Sequence, residues 1–200
     1  MKTFKQFFNE QSNKTAVIAF GRYNPPTVGH EKLIRKLTEV TKASGGDGFL
    51  IPSHTQNNKK DPLSFEEKKQ ILKYITPAGI EILDSGSNLI NLLQDLQTRG
   101  YNNVIHIAGS DRIPEFETLV GRYNGKPDSK GKVPFQFNSY KFESAGERDP
   151  DSEGVEGMSA SKLRKAALEG DYNLFKQGIS QTVPEILVKQ TFNHIRERIK

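Results

Sequence analysis

Apolar residues in this chain fall into short unbroken runs that alternate with stretches repeating every three or four positions, and this predicts strands and helices in turn. Ala16-Val17-Ile18-Ala19-Phe20 is the first run, and Leu33, Ile34, Leu37 and Val40 follow at helical spacing until Ser44-Gly45-Gly46 stops them. Gly48-Phe49-Leu50-Ile51 predicts a second strand. Ser64-Phe65-Glu66-Glu67 is a capping-box arrangement for a helix reaching about Ile75, closed by Pro77 and Gly79. Ile80-Glu81-Ile82-Leu83 is a short third strand, and Leu89, Leu92, Leu93 and Leu96 are the inner stripe of a helix stopping near Gly100. Val104-Ile105-His106-Ile107-Ala108 is continuously apolar, as a central parallel strand covered on both faces must be, and a helical pattern follows it to Val120. Phe135 to Phe142 alternates apolar with polar and predicts an edge strand with one wet face. A last amphipathic helix between Pro184 and Ile199 is expected to bury Leu187, Thr191, Ile195 and Ile199, with His194 beside that stripe. The expected architecture is therefore α/β: an open parallel sheet of about five strands, helices on both faces and further helices appended at the C-terminal end.

Composition narrows the class. Two hundred residues, 34% hydrophobic and 26% charged, suit one domain with a real core, here residues 15–200 after a polar lead of residues 1–14 that carries Phe4, Phe7 and Phe8. Without cysteine there is no disulfide framework, thiolate nucleophile or cysteine-based metal site, which suits a reducing cytoplasm. No apolar run approaches the ~20 residues of a membrane span, and no signal-peptide core opens the chain. The net charge of +5 favours an anionic partner. Because the basic residues are interspersed with acids and no aromatic-rich basic motif occurs, a nucleotide is the expected partner rather than nucleic acid. Nothing bears on oligomeric state, so a homo-oligomer stays open.

The chemistry gathers at strand ends. Between the first strand and its helix lies Gly21-Arg22-Tyr23-Asn24-Pro25-Pro26-Thr27-Val28-Gly29-His30. Gly21 permits close approach, the prolines stiffen the turn, and Gly29 leaves His30 in the first helical turn, where unpaired N–H groups and the dipole favour an anion facing Thr27 and His30. Tyr23 is counted with them as a candidate contact. The polar loop after the second strand carries Lys59 and Lys60, candidates for a triphosphate, before Asp61-Pro62. Gly109-Ser110-Asp111 ends the central strand, where Asp111 is a nucleotide ligand or a helix cap. Met158-Ser159-Ala160-Ser161-Lys162-Leu163-Arg164 opens another helix, so hydroxyls, N–H groups and two cations can converge on one anion. The charged, glycine-rich stretch 143–157 reads as a mobile border to this site.

Thr27-Val28-Gly29-His30 resembles the (His/Thr)-x-Gly-His signature of the nucleotidyltransferase superfamily, and the whole decapeptide looks most like the archaeal-type nicotinamide-mononucleotide adenylyltransferases. Ser53-His54-Thr55 is similar to a loop of the same enzymes, with Asp61 where they carry Asn. Gly109-Ser110-Asp111 resembles their Gly-x-Asp, and residues 158–164 resemble an Ile-Ser-Ser-Thr-x-x-Arg motif, departing from it at Ala160 and Ser161. The segment Arg148-Asp149-Pro150-Asp151-Ser152-Glu153-Gly154 and the phenylalanine-bearing lead look like proteins of large tailed phages, which implies the cytoplasm of an infected host.

The resemblance implies a Rossmann-like sheet on which a phosphorylated acceptor attacks the α-phosphorus of a nucleoside triphosphate, with Mg²⁺ arriving on the triphosphate. It implies that His30 serves the transition-state oxygens and the leaving pyrophosphate, Thr27 the α- or β-phosphate, and Arg22 a phosphate near the turn. Ser159, Ser161 and Arg164 would hold the β- and γ-phosphates, and Gly109 with Asp111 the nucleoside. ATP and nicotinamide mononucleotide are the implied pair; flavin mononucleotide, phosphopantetheine and phospho-alcohols stay open as acceptors. So does a nucleotide-binding scaffold without turnover, for which Ala160 is the hint.

Overall fold

A computed structural model describes residues 14–86, 88–146 and 158–199; the expected lead, Phe4 to Phe8, and most of the 143–157 border lie outside them. The strands are β1 (Thr15–Gly21), β2 (Asp47–Pro52), β3 (Ile80–Ile82), β4 (Asn103–Ala108) and β5 (Ser139–Ser144), and the helices are α1 (Val28–Ser44), α2 (Phe65–Ile75), α3 (Leu89–Thr98), α4 (Ile113–Tyr123), α5 (Ala160–Glu169), α6 (Tyr172–Gln177) and α7 (Glu185–Arg198). All five strands are parallel, in the order β3-β2-β1-β4-β5. This is the expected Rossmann-like α/β fold.

Alternate residues of each strand face opposite layers. Ala16, Ile18, Phe49 and Ile51 meet the leucines of α3 and Val120 of α4, while Val17, Ala19 and Leu50 meet Ile34, Leu37 and Val40 of α1 and Leu72 of α2. A third cluster joins Leu63 and Ile71 to Leu163, Ala166, Phe175, Val188, Phe192 and Ile195, so the C-terminal helices form an added layer over the α2 side. Local signals end the helices as expected: Gly45 closes α1 at a φ of 65°, where a side chain would be strained. Ser64 and Glu67 form the reciprocal cap of α2.

Two expectations need correction. The last strand starts at Ser139, not near Phe135. The backbone of Gln136 pairs with the Gln97 side chain at 2.9 and 3.1 Å, and Asn124 accepts from the Phe137 N–H at 2.8 Å, so these amides are satisfied without a strand neighbour while Phe135 and Phe137 sink into the core. In α7 Thr191, Ile195 and Ile199 are buried as expected, but Val188 and Phe192 join them while Leu187 is only half-buried, so the buried face is wider and centred to one side of the expected stripe. Among the described residues no helix is long and apolar enough to cross a membrane.

Candidate active site

β1 and β4 lie side by side, but the connections that leave them turn to opposite flanks of the sheet, which opens a crevice at their carboxyl ends. Gly21 and its loop line one wall, and Gly109 to Asp111 line the other. On the second wall the Arg112 N–H donates to Gly109 O at 2.9 Å and the Ser110 N–H to Gly146 O at 3.3 Å. α4 starts after Arg112, so Asp111 does not cap it; its side chain is exposed at the crevice.

The first wall is tightly built. Ser53 donates its N–H to Gly21 O at 2.8 Å, and buried Asn24 holds the Leu63 backbone on both sides, at 2.9 and 3.0 Å. A Cβ on Gly21 would lie 3.0 Å from the Tyr23 ring, so a side chain here would press on that buried ring. Tyr23, expected among the ligand contacts, is instead 2% exposed, with its hydroxyl donating to Ala19 O and its ring 4.8 Å from that of His30. It braces the imidazole from below. Thr27 is buried, and its N–H donates to His30 Nδ1 at 2.9 Å. A ring nitrogen that accepts carries no proton, so the neutral imidazole bears its proton on Nε2 and acts there as a donor.

The second helix start is joined to this wall. Ser159 caps α5 by accepting from the Lys162 N–H at 3.2 Å. Arg164 donates to Asn24 O at 2.7 Å and to Ser161 Oγ at 3.0 Å. Val28 donates its N–H to Gly178 O at 3.0 Å. A Cβ on Gly29 would find Thr27 Oγ1 at 3.5 Å and Met158 O at 3.9 Å, so both helix starts border the exposed space that this glycine leaves open. The side chains of Ser161 and Lys162 are exposed.

Beneath lies a charge cluster that the sequence did not announce. Asp61 is 2% exposed; its Oδ2 sits 3.7 Å from Arg22 and accepts from Asn57 Nδ2 at 3.0 Å. Lys68, fully buried in α2, donates to Ser53 O; burial pushes its pKa down to about 8 and Asp61 pulls it back. Arg164 feels the same neighbours: burial lowers its pKa, Asp61 opposes, and the charge of Arg22 lowers it further. Three cations thus share one carboxylate, an excess suited to a polyphosphate. One sequence signal existed, since Lys68 falls on the inner stripe of α2 with Phe65, Ile71 and Leu72. Asn57 Oδ1 accepts from the N–H groups of Lys59 and Lys60, at 3.1 and 2.7 Å, and so shapes the turn whose exposed tip carries these lysines.

His106 is not at the crevice surface. It is fully buried, its Nδ1 is 2.9 Å from the Tyr140 hydroxyl, and burial pushes its pKa down to about 3, so it is neutral. A separate groove of about 390 Å³ lies between α1 and the end of α2, lined by Arg35, Thr38, Tyr74 and Thr182, and contains none of the candidate site residues. The crevice is an open edge, and its chemistry identifies it better than its depth. Among the described residues no cluster of three or more His, Asp or Glu could hold a metal ion.

No family model matches the chain, and a search of curated proteins finds no relative. Solved structures do match. A protein of Vibrio parahaemolyticus assigned as a nicotinate-nucleotide adenylyltransferase is 16% identical, with a TM-score of 0.57 over 93% of this chain and 98% of that one. The nicotinic acid mononucleotide adenylyltransferase of Plasmodium falciparum, complexed with NaAD, is 17% identical, with a TM-score of 0.56 over 92% of this chain and 96% of that one. The same enzyme complexed with APC gives 16% and 0.57. The shared fold is that of the nicotinate-nucleotide adenylyltransferases. These three structures are of proteins described as nicotinate-nucleotide enzymes, whereas the first motif resembles the archaeal-type nicotinamide enzymes.

Proposed function

We propose that this chain is an adenylyltransferase that moves AMP from ATP to the phosphate of a pyridine mononucleotide, releasing pyrophosphate and forming the dinucleotide. The observation that carries the reading is the bridge from Arg164 to Asn24 O, which brings the Ser159–Ser161 helix start beside the Thr27–His30 helix start over a cationic floor. An acceptor phosphate oxygen forms a bond to the α-phosphorus while the bond from that phosphorus to the bridging oxygen breaks, and pyrophosphate leaves with the electron pair. The acceptor is already ionised, so no protein nucleophile or base is required; alignment and neutralisation of phosphoryl charge are the protein's task. His30 Nε2–H donates to the oxygens that gain charge. Arg22, Arg164, Lys162 and the Lys59–Lys60 tip hold the β- and γ-phosphates with Ser159 and Ser161, and Gly109 with Asp111 meets the nucleoside. Mg²⁺ would come with the triphosphate and would help neutralise its phosphoryl charge, with no side-chain cluster of this chain needed to hold it.

Nicotinamide mononucleotide is the acceptor favoured by the resemblance of residues 21–30, and its acid analogue is favoured by the structural neighbours. The test is pyrophosphate release from Mg-ATP with each, and with flavin mononucleotide and phosphopantetheine. Release with a pyridine mononucleotide supports the reading; ATP binding without release for any acceptor would make the protein a scaffold.

A further inference from the structure

One carboxylate in the charge cluster is only half satisfied. A buried carboxylate is costly unless its oxygens are satisfied, yet among the described residues no donor reaches Asp61 Oδ1, and Arg22, 3.7 Å from Oδ2, is mostly exposed. The neighbouring Ser53 Oγ is also buried without a partner. A pair arranged for stability would be closed by hydrogen bonds on both oxygens.

We propose that Asp61 is a positioning residue for triphosphate capture: its buried carboxylate anchors the exposed Arg22 over the carboxyl end of β1 and fixes the Asn57–Asp61 turn that displays Lys59 and Lys60. This rests on the reading of the crevice as an ATP site. The geometry explains why a carboxylate is tolerated there. An arginine on an exposed loop end samples many rotamers, and each must be lost when phosphate binds. Asp61 restricts that freedom beforehand by drawing Arg22 to its side, and it fixes the turn through Asn57 Nδ2 and the paired Asn57 and Asp61 backbones, whose N to O distances are 2.9 and 3.2 Å. Lys68 and Arg164, which sense the same charge, keep the cluster cationic overall, so Asp61 orients the floor without neutralising it.

A double-mutant cycle read on the Kd of ATP by titration calorimetry, with melting temperature followed in parallel, tests this. Asp61→Asn keeps the shape and the Asn57 contact but removes the charge, and is expected to weaken ATP about tenfold, as Arg22→Ala does. The double variant should be no weaker than Arg22→Ala alone. Independent effects, with the double variant weakened about a hundredfold, or an unchanged Kd with only a lowered melting temperature, would overturn the proposal. If Asp61→Asn does not fold, the cycle is run in Asp61→Asn/Lys68→Gln, which removes both buried charges, against Lys68→Gln as reference. Failure of the functional reading looks different: intact ATP binding and an intact cycle, but no pyrophosphate release from the unaltered protein. Absence of ATP binding by the unaltered protein overturns both.

Discussion

The two helix starts that meet at the crevice are built differently. At α1 the chain is fixed from every side: Thr27 is buried, His30 rests on Tyr23 with Nδ1 held by a backbone N–H, and Asn24 and Gly21 tie the loop to the segment after β2. At α5 only Ser159 is used up in capping, while Ser161 and Lys162 stay exposed and Arg164 reaches across. A group held rigidly in advance lowers the barrier most where charge develops, whereas exposed, adjustable donors contribute about equally to ground state and transition state. The α1 start should therefore govern kcat and the α5 start KM.

The largest effect expected is that of His30→Ala: kcat about 10²- to 10³-fold lower, KM for ATP within a few-fold, and an unchanged circular-dichroism spectrum. A rise in KM at constant kcat would reverse the comparison. Arg164→Lys should raise the KM for ATP about tenfold with less change in kcat, since one ammonium cannot hold Asn24 O, Ser161 and a phosphate in a planar fork; steady-state kinetics decide.

A third test addresses the support that α2 and α7 give to both starts. Burial would raise the pKa of Glu67, but hydrogen bonds from Arg198 and Ser64 outweigh it and bring it to about 2. Because this folded value lies below the ordinary one, the stability it contributes is complete above about pH 4.5 and drains away as pH falls towards 2. His106 has the same sign: folded near 3 against an ordinary 6.5, its contribution is lost from pH 6.5 downward. Urea unfolding between pH 7 and 3 should thus show a decline that begins below pH 6.5, and Glu67→Gln should flatten only the part below about 4.5, by about 2 kcal/mol. The smallest effect is that of Ser161→Ala, about threefold in KM for ATP, because its hydroxyl is one exposed donor among several.

What the sequence disclosed follows the range of the forces involved. Apolar runs, capping residues and the Thr27-Val28-Gly29-His30 turn act within a few positions of themselves, so β1, β4, the start of α1 and the Ser64 cap of α2 are legible one residue at a time. Residues 135–137 fall outside a strand because the Gln136 backbone finds the Gln97 side chain and the Phe137 N–H finds Asn124, partners that spacing cannot reveal. Tyr23 looked like a ligand contact because its neighbours do; only the fold shows that its hydroxyl turns inward to Ala19. The Asp61, Lys68 and Arg164 cluster joins three distant segments, and the single trace of it was a lysine on an inner stripe.

Arg198 grips both Glu67 oxygens, at 2.6 and 3.0 Å, and the carbonyl of Pro62 at 2.9 Å, while His194 holds Glu67 from the next turn at 2.6 Å. The end of α7 is thereby latched onto the residue next to Asp61. Trimming the protein just before residue 194 would remove none of the residues proposed to hold nucleotide and yet slacken the turn beside Asp61, so assays on shortened versions would report on that latch as much as on chemistry.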